Sequence, residues 1–576
     1  MAVTVTLARY LLQRLHQLGV DSIFGVPGDT NLSLLDHVEP SGLRWIGSVN
    51  ELNAAYSADG YARIKGIGAL ITTFGVGELS AISGIAGAYA ERAAVVHIVG
   101  SPTKAQQHAR QWVHHTIKDG DFETFAEIYS HVTISQARLR NPQICTEQID
   151  DILSQCLHHS RPVYIEFPVD LVSALVPSDR LNYPIKLVVD EPIAPRDEVI
   201  NEILRRMYLA KQPIVLVDGE IRAMNIIDDV QRMVELTEWP TWTTPFGKGL
   251  LNETLPNCHG IYRGKFDSEA VRSFVNEADL IMCFGPHLSA TNTYGFSSAP
   301  RAEVTIYFTD TIVQIGDEKF PTIPIKLVTS RLLQMIQPSN LKHYNPYPDL
   351  PRDSLLPFSG VPDDLPITHD RLWRLAANII RPGDIILGDT GTSGHGVRTM
   401  ALPKHTRLFT HVTWLCVGYA LPAALGVALA QQELLTSSQY FGMEKAQTTM
   451  FIGDGGFQMT VQELATIIRY NLNIVMFVIN NDGYTTERCF HGCKQGYNDI
   501  APLRYLLAPA FFGAKDGTYT ATAKTWRELK QVLQDDQLNN GQGLRMVEVL
   551  MDREDAPHGS LQTALQKQKD EESVSR

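Results

Sequence analysis

A glycine-flanked aspartate, a histidine pair and a few well-spaced carboxylates are the residues best able to do chemistry in this chain. Gly453-Asp454-Gly455-Gly456 follows directly on the apolar run Met450-Phe-Ile452. A strand that runs into a glycine-rich turn and then a helix points backbone N–H groups at a phosphate. The Asp454 carboxylate in such a turn can hold a divalent cation against the phosphate oxygens. A second apolar run, residues 474–479, ends in Asn480-Asn481-Asp482-Gly483-Tyr484, so Asn481 follows Asp454 by 27 residues. Asp454, Asn481 and the Gly483 carbonyl, with two phosphate oxygens and a water, would form the six-oxygen shell that Mg2+ prefers. Either half alone reads as an ordinary turn; the pairing carries the argument. His114-His115 adds groups that can move protons near neutral pH, although a histidine pair alone also suits a surface or a core.

These residues need a scaffold. Apolar runs at 94–100, 213–219, 279–285, 383–389, 449–453 and 473–480 each have the length of a buried strand, and helical patterns lie between them. That alternation predicts an α/β fold of parallel sheets covered on both faces, with ligands at the carboxyl ends of the strands. Two Pro-rich stretches, 179–196 and 344–368, read as linkers and divide the chain into three doubly wound units. Residues 431–447 read as a polar surface insertion, and the tail after Pro557 as polar and frayed. Residues 412–430 are apolar and nearly long enough to span a bilayer. Gly418, Pro422 and Gly426 within them, and the lack of companion segments, favour a buried turn and helix.

The 576 residues are 44% hydrophobic and 20% charged, which fits large cores. A formal charge of −13 argues against nucleic acid or an anionic membrane as the main partner. Seven scattered cysteines and no signal-peptide pattern at the start point to reduced thiols in the cytoplasm.

Several longer motifs resemble the thiamine-diphosphate-dependent 2-oxo acid decarboxylase family, in its pyruvate decarboxylase and indolepyruvate decarboxylase branch. They are Phe24-Gly-Val-Pro-Gly-Asp29, the stretch from Asn50-Glu51 to Arg63, and Thr73-Phe-Gly-Val-Gly-Glu-Leu-Ser80. His114-His115-Thr116 with Asp119-Gly-Asp-Phe122 is the mark of the branch, and Phe246-Gly-Lys-Gly249, Asp389-Thr-Gly-Thr392 and Gly453-Asp454-Gly455-Gly456 complete the match. The resemblance implies a pyrimidine-binding unit at 1–183, a middle unit at 190–345 and a diphosphate- and Mg2+-binding unit at 360–560. It also implies a homodimer or a dimer of dimers, with each active site between subunits.

On the same resemblance, Glu51 hydrogen-bonds the cofactor pyrimidine and Val417 is the wedge that bends the cofactor. Asp29, His114, His115 and Glu487 form the acid–base set. Glu487 would sit beside the leaving carboxylate, protonated through burial. Gly453, Asp454, Gly455, Gly456 and Asn481 hold the diphosphate and, with Gly483, the Mg2+. Thr390 and Thr392 contact cofactor or substrate. The chain departs from the branch at Thr486 (usually isoleucine), Leu415 (a glycine whose carbonyl faces the pyrimidine), Gly394-His395 (a small residue and phenylalanine) and Thr30 (tyrosine). Asp218-Gly219-Glu220 stands where some members carry adjacent cysteines linked to substrate activation. The expected reaction is non-oxidative decarboxylation of a 2-oxo acid, pyruvate first, to an aldehyde through a cofactor enamine. Aryl or branched 2-oxo acids, acyloin-forming carboligation and a catalytically silent homologue are the alternatives.

Overall fold

The computed structural model describes residues 3–117, 119–185, 197–321 and 324–574. A short antiparallel pair, β1 (Thr4–Thr6) with β8 (Leu175–Pro177), closes the first unit. Between them, β2 (Ser22–Gly25), β3 (Arg44–Gly47), β4 (Gly68–Thr73), β5 (Val95–Ser101), β6 (Ser135–Arg138) and β7 (Val163–Pro168) form a parallel sheet in the order 3-2-4-5-7-6.

The middle sheet holds β9 (Pro213–Val217), β10 (Thr241–Thr243), β11 (Cys258–Ile261), β12 (Leu280–Phe284), β13 (Thr305–Phe308), β14 (Ile312–Ile315) and β15 (Glu318–Pro321). It is parallel through β13, and an antiparallel hairpin adds β14 and β15 at one edge.

The last sheet holds β16 (Ile385–Gly388), β17 (Arg407–Thr410), β18 (Thr448–Gly453), β19 (Ile474–Asn480), β20 (Thr520–Ala523) and β21 (Leu544–Leu550), in the order 17-16-18-19-21-20. Counted from its own first strand, that is the winding of the first sheet. The order reverses between β2 and β4 and again between β16 and β18. Crevices open at such reversals, beyond the carboxyl ends of the strands.

The central strands explain their own burial. Val95–Ser101 and Gly68–Thr73 are buried at every residue, as strands covered on both faces must be. Asn50 caps the helix Glu51–Lys65 by accepting the Asn53 N–H at 2.8 Å, which places Glu51 in the first turn. This helix crosses the buried helix Ala420–Thr436 with almost no gap. A Cβ on Gly60 would fall 2.3 Å from Ala423 O, and one on Gly426 would fall 1.9 Å from Ser57 O.

The apolar stretch at 412–430 is thus a loop and a buried helix, and among the described residues no helix is long and apolar enough to cross a membrane. The expected insertion at 431–447 is partly the end of that helix, and Gln431 and Gln447 are buried. The tail is not frayed over its described length. Residues 560–574 form a helix whose Leu561 and Leu565, with Ala564 against them, pack on Cys489 and Cys493. Their i, i+3, i+4 spacing gives the narrow apolar stripe that a docked helix needs. Residues 344–368 are more than a tether, because Asp353 pairs with the buried Lys248 at 2.8 Å. Of the first expected linker, residues 186–196 lie outside the described residues.

Candidate active site

At the first reversal, the loops after β2 and β5 bring Asp29 and His114 together. His114 Nε2 lies 2.8 Å from Asp29 Oδ2, and both side chains are more than half exposed. His115 has its ring edge-on to that of His114, with centroids 4.5 Å apart. Asp29, His114 and His115 each present an N or O atom within 4.8 Å of the others. His115 has φ +66°, a left-handed backbone uncommon outside glycine, although histidine takes it up more often than most residues. Partial burial, and then His114, hold its imidazole below the usual histidine range. Phe74 backs both rings, at 6.3 Å from His114 and 5.6 Å from His115. Glu51 starts its helix beside Gly77, where an added Cβ would lie 3.1 Å from Glu51 Oε1. Thr30 turns inward, 2.7 Å from Thr73 Oγ1 and donating to Gly100 O at 2.8 Å.

At the second reversal, β16 leads into Asp389-Thr390-Gly391-Thr392 and β18 into Gly453-Asp454-Gly455-Gly456. Asp454 is buried. Its Oδ1 accepts Gly455 N–H at 2.8 Å and its Oδ2 accepts Gly483 N–H at 2.9 Å. Desolvation pushes its carboxyl up to about 6. One terminal atom of the Asn481 amide lies 3.0 Å from Gly483 O and 3.3 Å from Asp454 Oδ1. As nitrogen it donates to both, while its oxygen accepts from Thr485 Oγ1. As oxygen it makes three oxygens converge with no proton between them. The edge of an Mg2+ octahedron is about 3 Å, so a divalent cation bound there would favour the second arrangement. Thr390 Oγ1 is buried with no hydrogen-bond partner among the described residues. Thr486 borders the same turn, its Oγ1 3.4 Å from where a Gly391 Cβ would stand. Glu487 is exposed in the single chain: nothing among the described residues covers its face of the helix Thr485–Phe490.

Two residues whose roles the motifs do not reveal hold the loop between β17 and the helix Ala420–Thr436. Asp389, fully buried, accepts the N–H groups of Gly418 and Ala420, each at 3.0 Å. Glu91, from the first unit, accepts those of Val412 (2.8 Å), Thr413 (2.9 Å) and Trp414 (3.3 Å). The loop presents Val417, 38% exposed, and Leu415, whose φ of +53° is the conformation a glycine would hold freely. Buried carboxylates that accept main-chain N–H groups leave no motif; their only sequence trace is an acidic residue beside an apolar run.

The other departures are structural. Asp218 is a buried acceptor for Gly219 N–H, His287 N–H, Thr244 and Asn292. Glu220 pairs with Arg92 at 2.8 Å and with His287 at 3.0 Å. His395 follows the turn on the helix Thr392–Val397, where burial and Arg398 push its pKa down to about 3, so it is neutral.

Among the described residues, no hydrogen bond or ion pair joins the Asp29–His114–His115 set to the Asp454–Asn481 set. Two similarly wound units, one carrying the Asp29–His114–His115 cluster and one the glycine-rich turn at Asp454, suit a cofactor enzyme. Family models match the chain in three segments. Residues 5–123 match the thiamine pyrophosphate enzyme N-terminal TPP binding domain, 200–335 the central domain and 389–549 the C-terminal TPP binding domain. The chain belongs to the thiamine pyrophosphate enzyme family. It is 50% identical to a pyruvate decarboxylase of Aspergillus parasiticus over 96% of both chains. It is 38% identical to one of Aspergillus terreus, over 96% of this chain and 95% of that one. It is 37% identical to pyruvate decarboxylase isozyme 1 of Saccharomyces cerevisiae, over 97% and 98%.

Proposed function

We propose that this chain is a thiamine-diphosphate-dependent carboxy-lyase that releases CO2 from a 2-oxo acid, pyruvate foremost, and leaves an aldehyde. The observation that carries the reading is the Asp29–His114 pair at 2.8 Å beside His115, a proton-transfer set of the kind such a reaction needs. When bound, the cofactor supplies the electron sink that no side chain offers. Asp454, Asn481 and the Gly483 carbonyl would hold Mg2+, and the main chain of Gly453, Gly455 and Gly456 would take the diphosphate. The three-oxygen convergence supports that assignment. Glu51 would hold the cofactor pyrimidine, with the Leu415 carbonyl and Val417 contacting the cofactor from the loop above it. Thr390 and Thr392 line the cofactor, and Thr486 forms a pocket wall. His114, His115 and Asp29 deliver and remove protons. Glu487 stands beside the carboxylate that leaves.

Among the described residues no hydrogen bond or ion pair joins the Asp29–His114–His115 set to the Asp454–Asn481 set, and Val417, Asp29, His114 and Glu487 are uncovered. This favours a homodimer, or a dimer of dimers, in which the first unit of one copy faces the last unit of another. Thiols at Cys145, Cys156, Cys258, Cys283, Cys416 and Cys489 suit a reducing cytoplasm. A second reading, a larger aryl or branched acid, is favoured by the small Thr486 beside Gly391.

The test is aldehyde and CO2 release from pyruvate, phenylpyruvate, indolepyruvate and branched 2-oxo acids with thiamine diphosphate and Mg2+. Turnover that disappears in Glu51→Gln supports the reading. Bound cofactor with no aldehyde from any acid overturns it.

A further inference from the structure

Beneath the histidine pair lies a buried carboxyl that the reaction does not itself use. Glu78 sits in the first turn of the helix Val76–Ala90 and is 1% exposed. Its Oε1 accepts Gly75 N–H at 2.7 Å, and its Oε2 accepts the Tyr164 hydroxyl at 2.9 Å. The Tyr129 hydroxyl donates to the Glu78 main-chain oxygen. Gly75 has φ +64°, and a Cβ there would stand 2.3 Å from His115 O. The Gly75 main chain therefore touches the main chain of His115. Phe74, one residue earlier, backs the His115 ring.

We propose that Glu78 is a positioning residue for His115. It pins the Gly75 turn on which the His115 main chain rests, and so sets the direction of that imidazole. The inference rests on reading His115 as a proton carrier.

An N-terminal cap alone would need only the Gly75 bond. The Tyr164 bond clamps the other carboxyl oxygen to β7, so the turn is held against the sheet as well as the helix. The groups around Glu78 supply no cation. Tyr164 and Glu166 face it from β7, and Tyr129 from the helix Thr124–Tyr129. His97 of β5 packs against both tyrosines, tilted to Tyr129 and edge-on to Tyr164, and burial keeps it neutral. Glu166 is occupied by Arg140 at 2.8 Å. Burial accordingly pushes the Glu78 carboxyl up to about 8. Both oxygens already accept hydrogen bonds, so what ionisation adds as pH rises through that value is an unpaired charge facing Glu166 in a dry pocket, and that charge loads the turn under His115.

The experiment compares kcat and KM of the holoenzyme with those of Glu78→Gln, Glu78→Ala, Tyr164→Phe and Tyr129→Phe over about pH 6 to 9. Glu78→Ala is expected to lower kcat by about tenfold or more while KM moves less than about twofold, the mark of a misaimed group. Glu78→Gln, a neutral isostere, restores kcat at neutral pH and lacks the alkaline limb of the wild type. Tyr164→Phe removes a donor that favours the charged form, so its limb moves to higher pH. Tyr129→Phe, which removes only the hydroxyl bond to the Glu78 main chain, leaves the limb in place. A wild-type kcat per folded molecule in Glu78→Ala, or an alkaline limb that persists in Glu78→Gln, overturns the proposal. So does an equal shift, or none, in the two tyrosine variants. Full activity in His115→Gln would instead overturn the reading of His115 beneath it.

Discussion

Asp389 grips the main chain at Gly418, its Oδ2 accepting that N–H at 3.0 Å while its Oδ1 takes Ala420 N–H at 3.0 Å. One carboxylate at the end of β16 thereby sets the height of Val417 above the sheet. Asp389→Ala orphans two buried donors and is expected to cost about 2–4 kcal/mol. Urea unfolding measures that loss. A thiamine diphosphate titration is expected to show weaker binding, because the wedge loop is released.

Leu415 holds a left-handed backbone that costs a non-glycine residue about 1 kcal/mol or more. Leu415→Gly is expected to raise the midpoint of thermal unfolding, with turnover essentially kept. A lowered midpoint would mean that packing of the leucine side chain outweighs the strain.

Glu463 is wholly buried at the junction with the helix that starts at Glu51. Its carboxyl faces Thr466, the Asn53 side chain and the Val49 main chain, with no close, well-aligned hydrogen bond to either oxygen among the described residues. Burial pushes the carboxyl from 4.5 up to about 7. An acid with a higher pKa folded than unfolded contributes its stability below the unfolded value and loses it as pH rises through the folded one. The wild type should lose about 3 kcal/mol from this site between those two pH values, and Glu463→Gln should not. Unfolding free energies at acid and mildly alkaline pH decide it; parallel curves would sink the argument.

Thr486 leaves space beside Gly391 that a larger side chain would fill. Thr486→Ile is expected to lower kcat/KM for phenylpyruvate relative to pyruvate by about tenfold, the scale of a change of a methylene or two in a pocket. An unchanged ratio would place the aryl group elsewhere.

The helix from Ser560 shields the Cys489 thiol, which burial holds far from its reactive thiolate form, at about 12. A chain cut after Pro557 is expected to label at Cys489 with a thiol reagent under conditions where the intact protein does not. Equal labelling would mean that the helix opens readily in solution.

Much of the scaffold was legible because buried parallel strands write themselves as unbroken apolar runs. The runs ending near 100, 389, 453 and 480 all became strands whose carboxyl ends carry candidate groups. Asp454 and Asn481 were legible as a spaced pair, and the structure puts them on neighbouring strands. What stayed hidden was tertiary. Nothing local marks Asp389 or Glu91 as holders of a loop, since their partners are anonymous backbone N–H groups. The docked helix at 560–574 was missed because two leucines and an alanine make a faint stripe among charged residues. Glu487 was expected to be buried by its role, but its own chain leaves it uncovered.

The near-contact of Gly60 with Ala423 and of Gly426 with Ser57 has a consequence for how this gene can vary. No atom there touches the candidate reacting groups, yet even one methyl would collide with a carbonyl oxygen. A saturation-mutagenesis map should therefore show an intolerant stripe along that seam, as stark as the one around Asp454. Tolerance alone would mark both as indispensable, and only one of them would be a place where chemistry happens.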